Sequence, residues 1–354
     1  QAVEERQDAA EGPGTAPRLP ADSSPGTSRY LDEVIVTAQK RAQASEDLGL
    51  SITVLGGESV DRQRVHGIEE VSQAVPSLDV FRGNGSNNPT ITLRGIGTTN
   101  PWVNNSPSVA AHVDGIYVPM SAYLTFPVFD LERIEVLKGP QIGLYGRNST
   151  AGAVNFVTAR PTSTGTGYLD VSYGRYDAWS VGGAASGPIG ESVRGRVAAV
   201  TRQGGGYMYR FGTAATTAGF TPVPGTIPPV ALVEAQGGYG DQDINAFRGS
   251  LEFAGSETFD VFLSAHVSTD KSELVGSTNI NGDRLRRFLP PNDDAYVDYD
   301  DFAPFMDSTQ FGGALEMNWY AGDIKITSLT GFESIDRRYG IGDFVPTRVA
   351  EANF

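Results

Sequence analysis

Residues 130–160 read Asp-Leu-Glu-Arg-Ile-Glu-Val-Leu-Lys-Gly-Pro-Gln-Ile-Gly-Leu-Tyr-Gly-Arg-Asn-Ser-Thr-Ala-Gly-Ala-Val-Asn-Phe-Val-Thr-Ala-Arg. Ile134, Val136 and Leu137 mark a short strand, which Gly139-Pro140 stops with turn chemistry. Gly143, Gly146 and Gly152 allow the backbone to turn tightly or to approach a neighbour closely. Ala153–Val157 is a second short strand. These features describe a compact α+β domain and, taken alone, name no function.

Downstream, from residue 166, the pattern becomes strictly period two. Leu169, Val171 and Tyr173 alternate with Asp170 and Ser172, and Trp179, Val181 and Ala185 with Ser180 and Ser186. The same rhythm carries Val193, Val197 and Ala199, then Phe247, Leu251 and Phe253, then Phe259–Val267, Phe311–Trp319 and Ile324–Phe332, while Val200, Phe262 and Leu329 break it. About seven strands of this kind suit an outer-membrane barrel, apolar outward and polar inward. A soluble β-sandwich also alternates. Two details favour the barrel. The polar face carries Arg194, Arg196, Arg248, Glu252 and Glu316, which suit a wet lumen. The connections alternate between short ones near 187–192, 255–257 and 321–323 and long ones near 206–243 and 269–308, as periplasmic turns and external loops do, with a short first external connection at Gly174–Asp177 as the exception.

Composition bounds the function. The chain has 354 residues, enough for two or more domains, and a formal charge of −15, whereas nucleic-acid binding needs a basic surface. It has no cysteine, so thiolate zinc sites, disulfides and cysteine nucleophiles are excluded. Its 43 glycines, 14 tyrosines and 17 phenylalanines fit an all-β architecture. No apolar run reaches the ~20 residues of a spanning helix, which leaves a closed barrel open as a membrane solution. No leader is visible at Gln1, as in a mature exported chain or a cytoplasmic one.

The 130–160 stretch closely resembles the end of the plug domain of TonB-dependent outer-membrane receptors. Glu132–Pro140 (with Arg133, Glu135, Lys138 and Gly139), Leu144–Asn148 (with Tyr145, Gly146 and Arg147), and Gly152 with Ala153 match that family's signature, and Ile142 stands where the family usually has glycine. Upstream, Pro89–Ile96 alternates like one strand and resembles the family's Leu-Arg-Gly segment at Arg94-Gly95. Asp114-Gly115 lies between apolar runs in Val109–Val118, a hairpin signal, and Ile116-Tyr117 loosely match a family Asp-Gly-Val-Tyr segment. Ser51–Leu55 reads as a strand; Glu58–Val65 and Ile68–Ala74 read as short helices.

The resemblance implies an α+β plug domain inside a transmembrane antiparallel β-barrel, organised as a disordered extension (1–29), a TonB-box segment (30–43), a plug (44–160) and the N-terminal part of the barrel (161–354). The extension lacks bulky apolar residues and is too short for an added signalling domain. Glu33, Val34, Ile35, Val36, Thr37 and Ala38 resemble the TonB box, which in the family pairs as an added strand with a periplasmic energy-coupling protein. Plugged transporters have about 22 strands. The seven here lead us to expect the remaining strands from further residues or from a second polypeptide.

No catalytic constellation is legible, so we expect a transporter and not an enzyme, with no cofactor and no metal site. His66, His112 and His266 sit in three different contexts, and His266 falls on a lumen-facing position. Substrate contacts are expected on outward plug loops carrying Asn84, Asn87, Asn88, Asn100, Trp102, Asn104, Asn105, Tyr117 and Tyr123; the same Asn residues also serve turn geometry. The 269–308 connection is acidic and reads as a solvated loop more readily than as a cation site. The function so implied is active uptake of a scarce nutrient across the bacterial outer membrane, with the N-terminus periplasmic, outer-membrane lipid around the barrel and a small-molecule substrate. A ferric siderophore is the commonest family substrate. A carbohydrate or other organic nutrient is the alternative within the family, and a secreted β-rich adhesion module the alternative outside it.

Overall fold

The structure, a computed structural model, describes residues 35–36, 43–44, 49–82, 88–98, 106–119, 121–206, 208–213, 232–253, 258–273, 297–298 and 305–340. In chain order the first elements are β1 (Ile35–Val36), β2 (Gln43–Ala44), β3 (Ser51–Gly56), α1 (Gly57–Arg62), α2 (Ile68–Ala74), β4 (Leu78–Arg82), β5 (Pro89–Leu93) and β6 (Ile96–Gly97). There follow β7 (Val109–Val113), β8 (Ile116–Val118), a 3-10 turn (Ser121–Thr125), β9 (Leu131–Lys138), α3 (Ile142–Tyr145) and β10 (Gly152–Thr158).

The quoted stretch supplies the two central strands of a five-stranded sheet ordered β3-β9-β10-β7-β8, with β10 parallel to β7 and the other pairs antiparallel. Both central strands are buried on both faces, which explains their nearly continuous apolar run. One face packs Leu55, Ile134, Val136, Val154 and Phe156 against Val60 of α1 and Ile68 and Val71 of α2. On the other, Leu137 and Ala153 meet Ala110, Tyr145 and Val36.

Glycine is needed at 152, where φ is +153° and a Cβ would lie 2.2 Å from the Leu137 carbonyl oxygen. Gly146 also has positive φ, but Gly143 is an ordinary member of α3 and makes no special turn. The 89–96 segment is not one strand. Arg94 and Gly95 take φ of +53° and +75° and fold β6 back on β5. Asp114 and Gly115 do the same between β7 and β8, the two-residue turn expected there.

The remaining strands are β11 (Thr166–Tyr173), β12 (Trp179–Pro188), β13 (Val193–Gly204), β14 (Met208–Thr213), β15 (Leu232–Tyr239), β16 (Gln242–Phe253), β17 (Phe259–Asp270), β18 (Val297–Asp298), β19 (Phe305–Ala321) and β20 (Ile324–Gly340). Seven of them form one antiparallel sheet, β11-β12-β13-β16-β17-β19-β20; β14, β15 and β18, from the two long connections, form a small sheet of their own. Period two is obeyed. Leu169, Val171, Tyr173, Trp179, Phe247, Leu251, Leu263, Phe311, Trp319 and Phe332 stand exposed on the outer face.

The three residues that broke the alternation are explained by the inner face. Val200 and Phe262 are buried on it, and Leu329 lies against Gly115 of the small domain. Along β20 the outer row runs Ile324, Ile326, Ser328, Thr330, Phe332 and then Ser334, Asp336 and Arg338, so the apolar band ends at Phe332.

Candidate functional site

The inner face of the seven-stranded sheet holds the small domain through buried arginines. At the entry to β9, Asp130 takes φ of +51° and turns its carboxylate outward. Arg196 of β13 pairs with it through two nitrogens, one donating to Oδ2 at 2.9 Å, and the Tyr168 hydroxyl donates to Oδ1 at 3.3 Å. Arg248 of β16 donates to the carbonyls of Phe129 (3.2 Å) and Asp130 (3.3 Å), with its guanidinium 4.5 Å over the Phe129 ring. Arg202 of β13 donates to the carbonyls of Val128 (2.8 Å) and His66 (3.2 Å). Arg202 and Arg248 are buried, so they are not decoration of a water-filled lumen. Their desolvation is offset by hydrogen bonds to the backbone carbonyls of Val128, Phe129, Asp130 and His66.

A second contact follows the exit from β10. Asp114, in the hairpin turn, accepts from the backbone N–H and the hydroxyl of Thr158, both at 2.8 Å. Arg160 then pairs with Glu316 of β19 and lies 4.2 Å over the Phe262 ring. Next to it, Ile116 rests on Gly331 of β20 and Leu329 on Gly115. A third contact lies higher on β20. The fully buried Arg337 donates to Asn88 Oδ1 at 2.7 Å and to Thr125 Oγ1 at 2.6 Å.

Within the small domain, polar groups cluster on the sheet face that carries Val36. Glu135, wholly buried, accepts from Arg133 Nε at 2.8 Å and from Asn155 Nδ2 at 3.1 Å, and Asn155 also donates to the Tyr145 hydroxyl at 2.7 Å. His112 packs edge-on against Tyr145, centroids 5.0 Å apart. Burial pushes the Tyr145 phenol up to about 12; the Asn155 hydrogen bond opposes this and the Glu135 charge adds to it.

Residues 44–153 match the TonB-dependent receptor plug domain model. That segment is similar to the plug domain of the TonB-dependent receptors. The chain is 29% identical over 177 residues to the pesticin receptor of Yersinia pestis, covering 49% of this chain and 26% of that one. With the vitamin B12 transporter BtuB of Photobacterium profundum it shares 23% identity over 334 residues, 87% of this chain and 53% of the relative. The fold is that of the ferric yersiniabactin uptake receptor FyuA from Yersinia pestis, at a TM-score of 0.67 and 19% identity over 83% of this chain and 42% of that one. The chain thus spans from about a quarter to about half the length of these relatives, and its seven-stranded sheet has the fold of part of such a receptor's barrel, with the plug-like domain on its inner face.

In the structure the site residues expected from sequence fall into three groups. Of the box, Ile35 and Val36 pair with Ala44 and Gln43, and Val36 is completely buried; Glu33, Val34, Thr37 and Ala38 lie outside the described residues. Of the substrate set, Asn84, Asn87, Asn100, Trp102, Asn104 and Asn105 also lie outside them. Asn88 is buried under Arg337, Tyr117 accepts from Asn148 Nδ2 at 2.6 Å, and Tyr123 is half-buried in the 3-10 turn, its phenol shifted upward by burial and by the Glu333 charge.

The signature residues do structural work. Glu132, Arg133 and Glu135 form a linked set of ion pairs, Lys138 donates to the Pro76 carbonyl at 3.1 Å, and Asn148 takes φ of +65°. Gly139-Pro140 ends β9, with Gly139 at φ +112°, and Tyr145 and Gly146 close α3 while Arg147 is exposed. Sequence reasoning missed Asp130, Arg202 and Arg337 as plug-to-barrel contacts. The available signal was an arginine at an inward position of an alternating strand. The acidic 274–296 portion of the long connection lies outside the described residues; among the described ones no three His, Asp or Glu side chains converge on a common point.

Proposed function

We propose that this chain carries the coupling box (30–43), the plug (44–160) and the first barrel strands (161–354) of a receptor that imports a ferric siderophore or similar chelate, using energy delivered by a TonB-like periplasmic protein. The observation that carries this reading is a plug domain seated on the lumen face of an amphipathic barrel sheet by buried arginines, an arrangement that closes the pore until the plug moves. The substrate class is supported by a fold neighbour named for ferric yersiniabactin uptake. The receptor needs no chemical step; substrate binds from outside and the plug rearranges. The test is uptake of radio-iron-labelled ferric yersiniabactin and of a ferric catecholate by iron-starved cells with and without the gene. Uptake that needs both the gene and the proton gradient supports the reading, and gene-independent uptake of every chelate defeats it.

A second substrate reading, a corrinoid or other organic nutrient, is favoured by one observation: the match to the vitamin B12 transporter extends over more of this chain than the match to the pesticin receptor. Labelled cyanocobalamin in the same assay separates the two.

A further inference from the structure

The structure assigns to Arg337 a positioning role in substrate capture: one barrel guanidinium holds two outward plug elements, the start of β5 and the 121–125 turn, in a fixed relation to the chamber wall. This rests on the uptake reading above.

Three observations carry it. The first is depth. β19 and β20 are joined by a tight turn at Gly322, which marks the periplasmic end, and the apolar outer band on β20 stops at Phe332. Beyond it the outer positions are Ser334, Asp336 and Arg338, so Arg337, facing inward between the last two, lies above the membrane band on the external side.

The second is geometry. Arg337 uses separate nitrogens for Asn88, at the start of β5, and Thr125, at the end of the 3-10 turn. The Thr125 hydroxyl itself donates a hydrogen bond to the Ala122 carbonyl at 2.9 Å, so the guanidinium also braces the turn from within. A planar fork can bridge two acceptors on different segments; an ammonium on a flexible stem is a point charge.

The third is what the turn presents. Tyr123 lies in it, half-buried, and feels the charge of Glu333, which stands two inward positions below Arg337. Glu333 in turn meets His266 Nε2 at 3.3 Å and Gln310 Nε2 at 3.5 Å, and its carboxylate fills the space over Gly312. Arg337 therefore holds the turn that carries Tyr123 to the same inner face of β20 on which Glu333 and its polar partners lie. A guanidinium buried to 1% exposure at this height is not available to a ligand, which makes its role indirect.

Hydrogen–deuterium exchange on the whole receptor in detergent tests this without a ligand. In Arg337→Met, amides of 88–93 and 121–126 exchange at least about tenfold faster while 131–138 and 152–158 keep their protection. Unchanged exchange overturns the proposal, and so does loss of protection throughout the plug, which would mean a general structural role. The second arm is concentration-dependent uptake of labelled ferric yersiniabactin. KM rises about tenfold with Vmax and surface abundance retained, and Arg337→Lys recovers only part of the loss. An unchanged KM, or full recovery by lysine, overturns the assignment. If wild-type cells take up neither this chelate nor a ferric catecholate, the siderophore reading fails and the exchange result decides Arg337 by itself.

Discussion

Ile116 of the plug stands directly on Gly331 of barrel strand β20: a Cβ at position 331 would come 2.6 Å from Ile116 Cδ1 and 2.7 Å from both of its γ carbons. The neighbouring pair is reversed, with Leu329 of the barrel over Gly115 of the plug, where a Cβ would come 2.9 Å from Leu329 Cδ2. Two glycines thus receive two aliphatic side chains across an interface that also holds ion pairs, hydrogen bonds and arginine-over-aromatic contacts.

Gly331→Val should therefore unseat the hairpin turn by steric overlap, at a cost of about 1–3 kcal/mol. Thermal unfolding in detergent should show the loss. Ile116→Ala in the same chain should return part of it, because the variant valine then has room. An additive double mutant would mean that the two residues do not share the contact.

Asp130 and Arg196 form a nearly buried ion pair, with side-chain exposures of 2% and 11%. Removing one partner leaves the other charged and desolvated, worth about 3–5 kcal/mol. Asp130→Asn keeps a side chain that tolerates positive φ and isolates the charge; Asp130→Ala adds backbone strain and should be worse. Equilibrium unfolding of both variants measures the difference. Equal stabilities would mean that the backbone at φ +51° makes no separate demand.

Alkaline pH should weaken the plug through Tyr145. Its phenol is held up to about 12 by burial, against 10 for a free tyrosine. A group whose folded pKa is raised stabilises fully below its unfolded pKa, so the contribution is intact below pH 10 and is lost as pH rises from 10 towards 12. Tyr145→Phe lacks the proton and should lose less stability over that window, although it starts lower for want of the Asn155 hydrogen bond. Melting temperatures of both proteins from pH 9 to 11.5 give the comparison. Parallel curves would contradict the assignment.

The box hypothesis predicts a separation of binding from transport. Ile35→Pro removes a backbone donor from the strand offered to the coupling protein, and it also disturbs the pairing of Ile35 with Ala44. Surface binding of the labelled chelate should persist while accumulation falls to background. Normal accumulation would end the case for residues 33–38 as the coupling segment.

Much of the fold could be read from residue order because its determinants are local. The period-two rhythm from residue 166, the Asp114-Gly115 turn and the Gly139-Pro140 stop act over a few residues and appeared where expected. The Pro89–Ile96 strand was misjudged because Arg94 adopts a positive φ that its side chain does not announce. Gly143 was over-read because a glycine inside a short helix looks, in sequence, like one at a turn.

Sequence by itself determined the resemblance to the plug domain, the two kinds of architecture and which face of each barrel strand is apolar and exposed, since signature, turn chemistry and alternation are properties of neighbouring residues. Tertiary structure alone decided what the inward arginines do. Arg196, Arg202, Arg248 and Arg337 look alike in an alternating strand, and nothing within ten residues distinguishes a lumen wall from a plug anchor. Their partners Asp130, Val128, Phe129 and Asn88 lie in another domain and reach them only on folding. A buried guanidinium must find acceptors somewhere, but the strand that carries it contains no record of where they are.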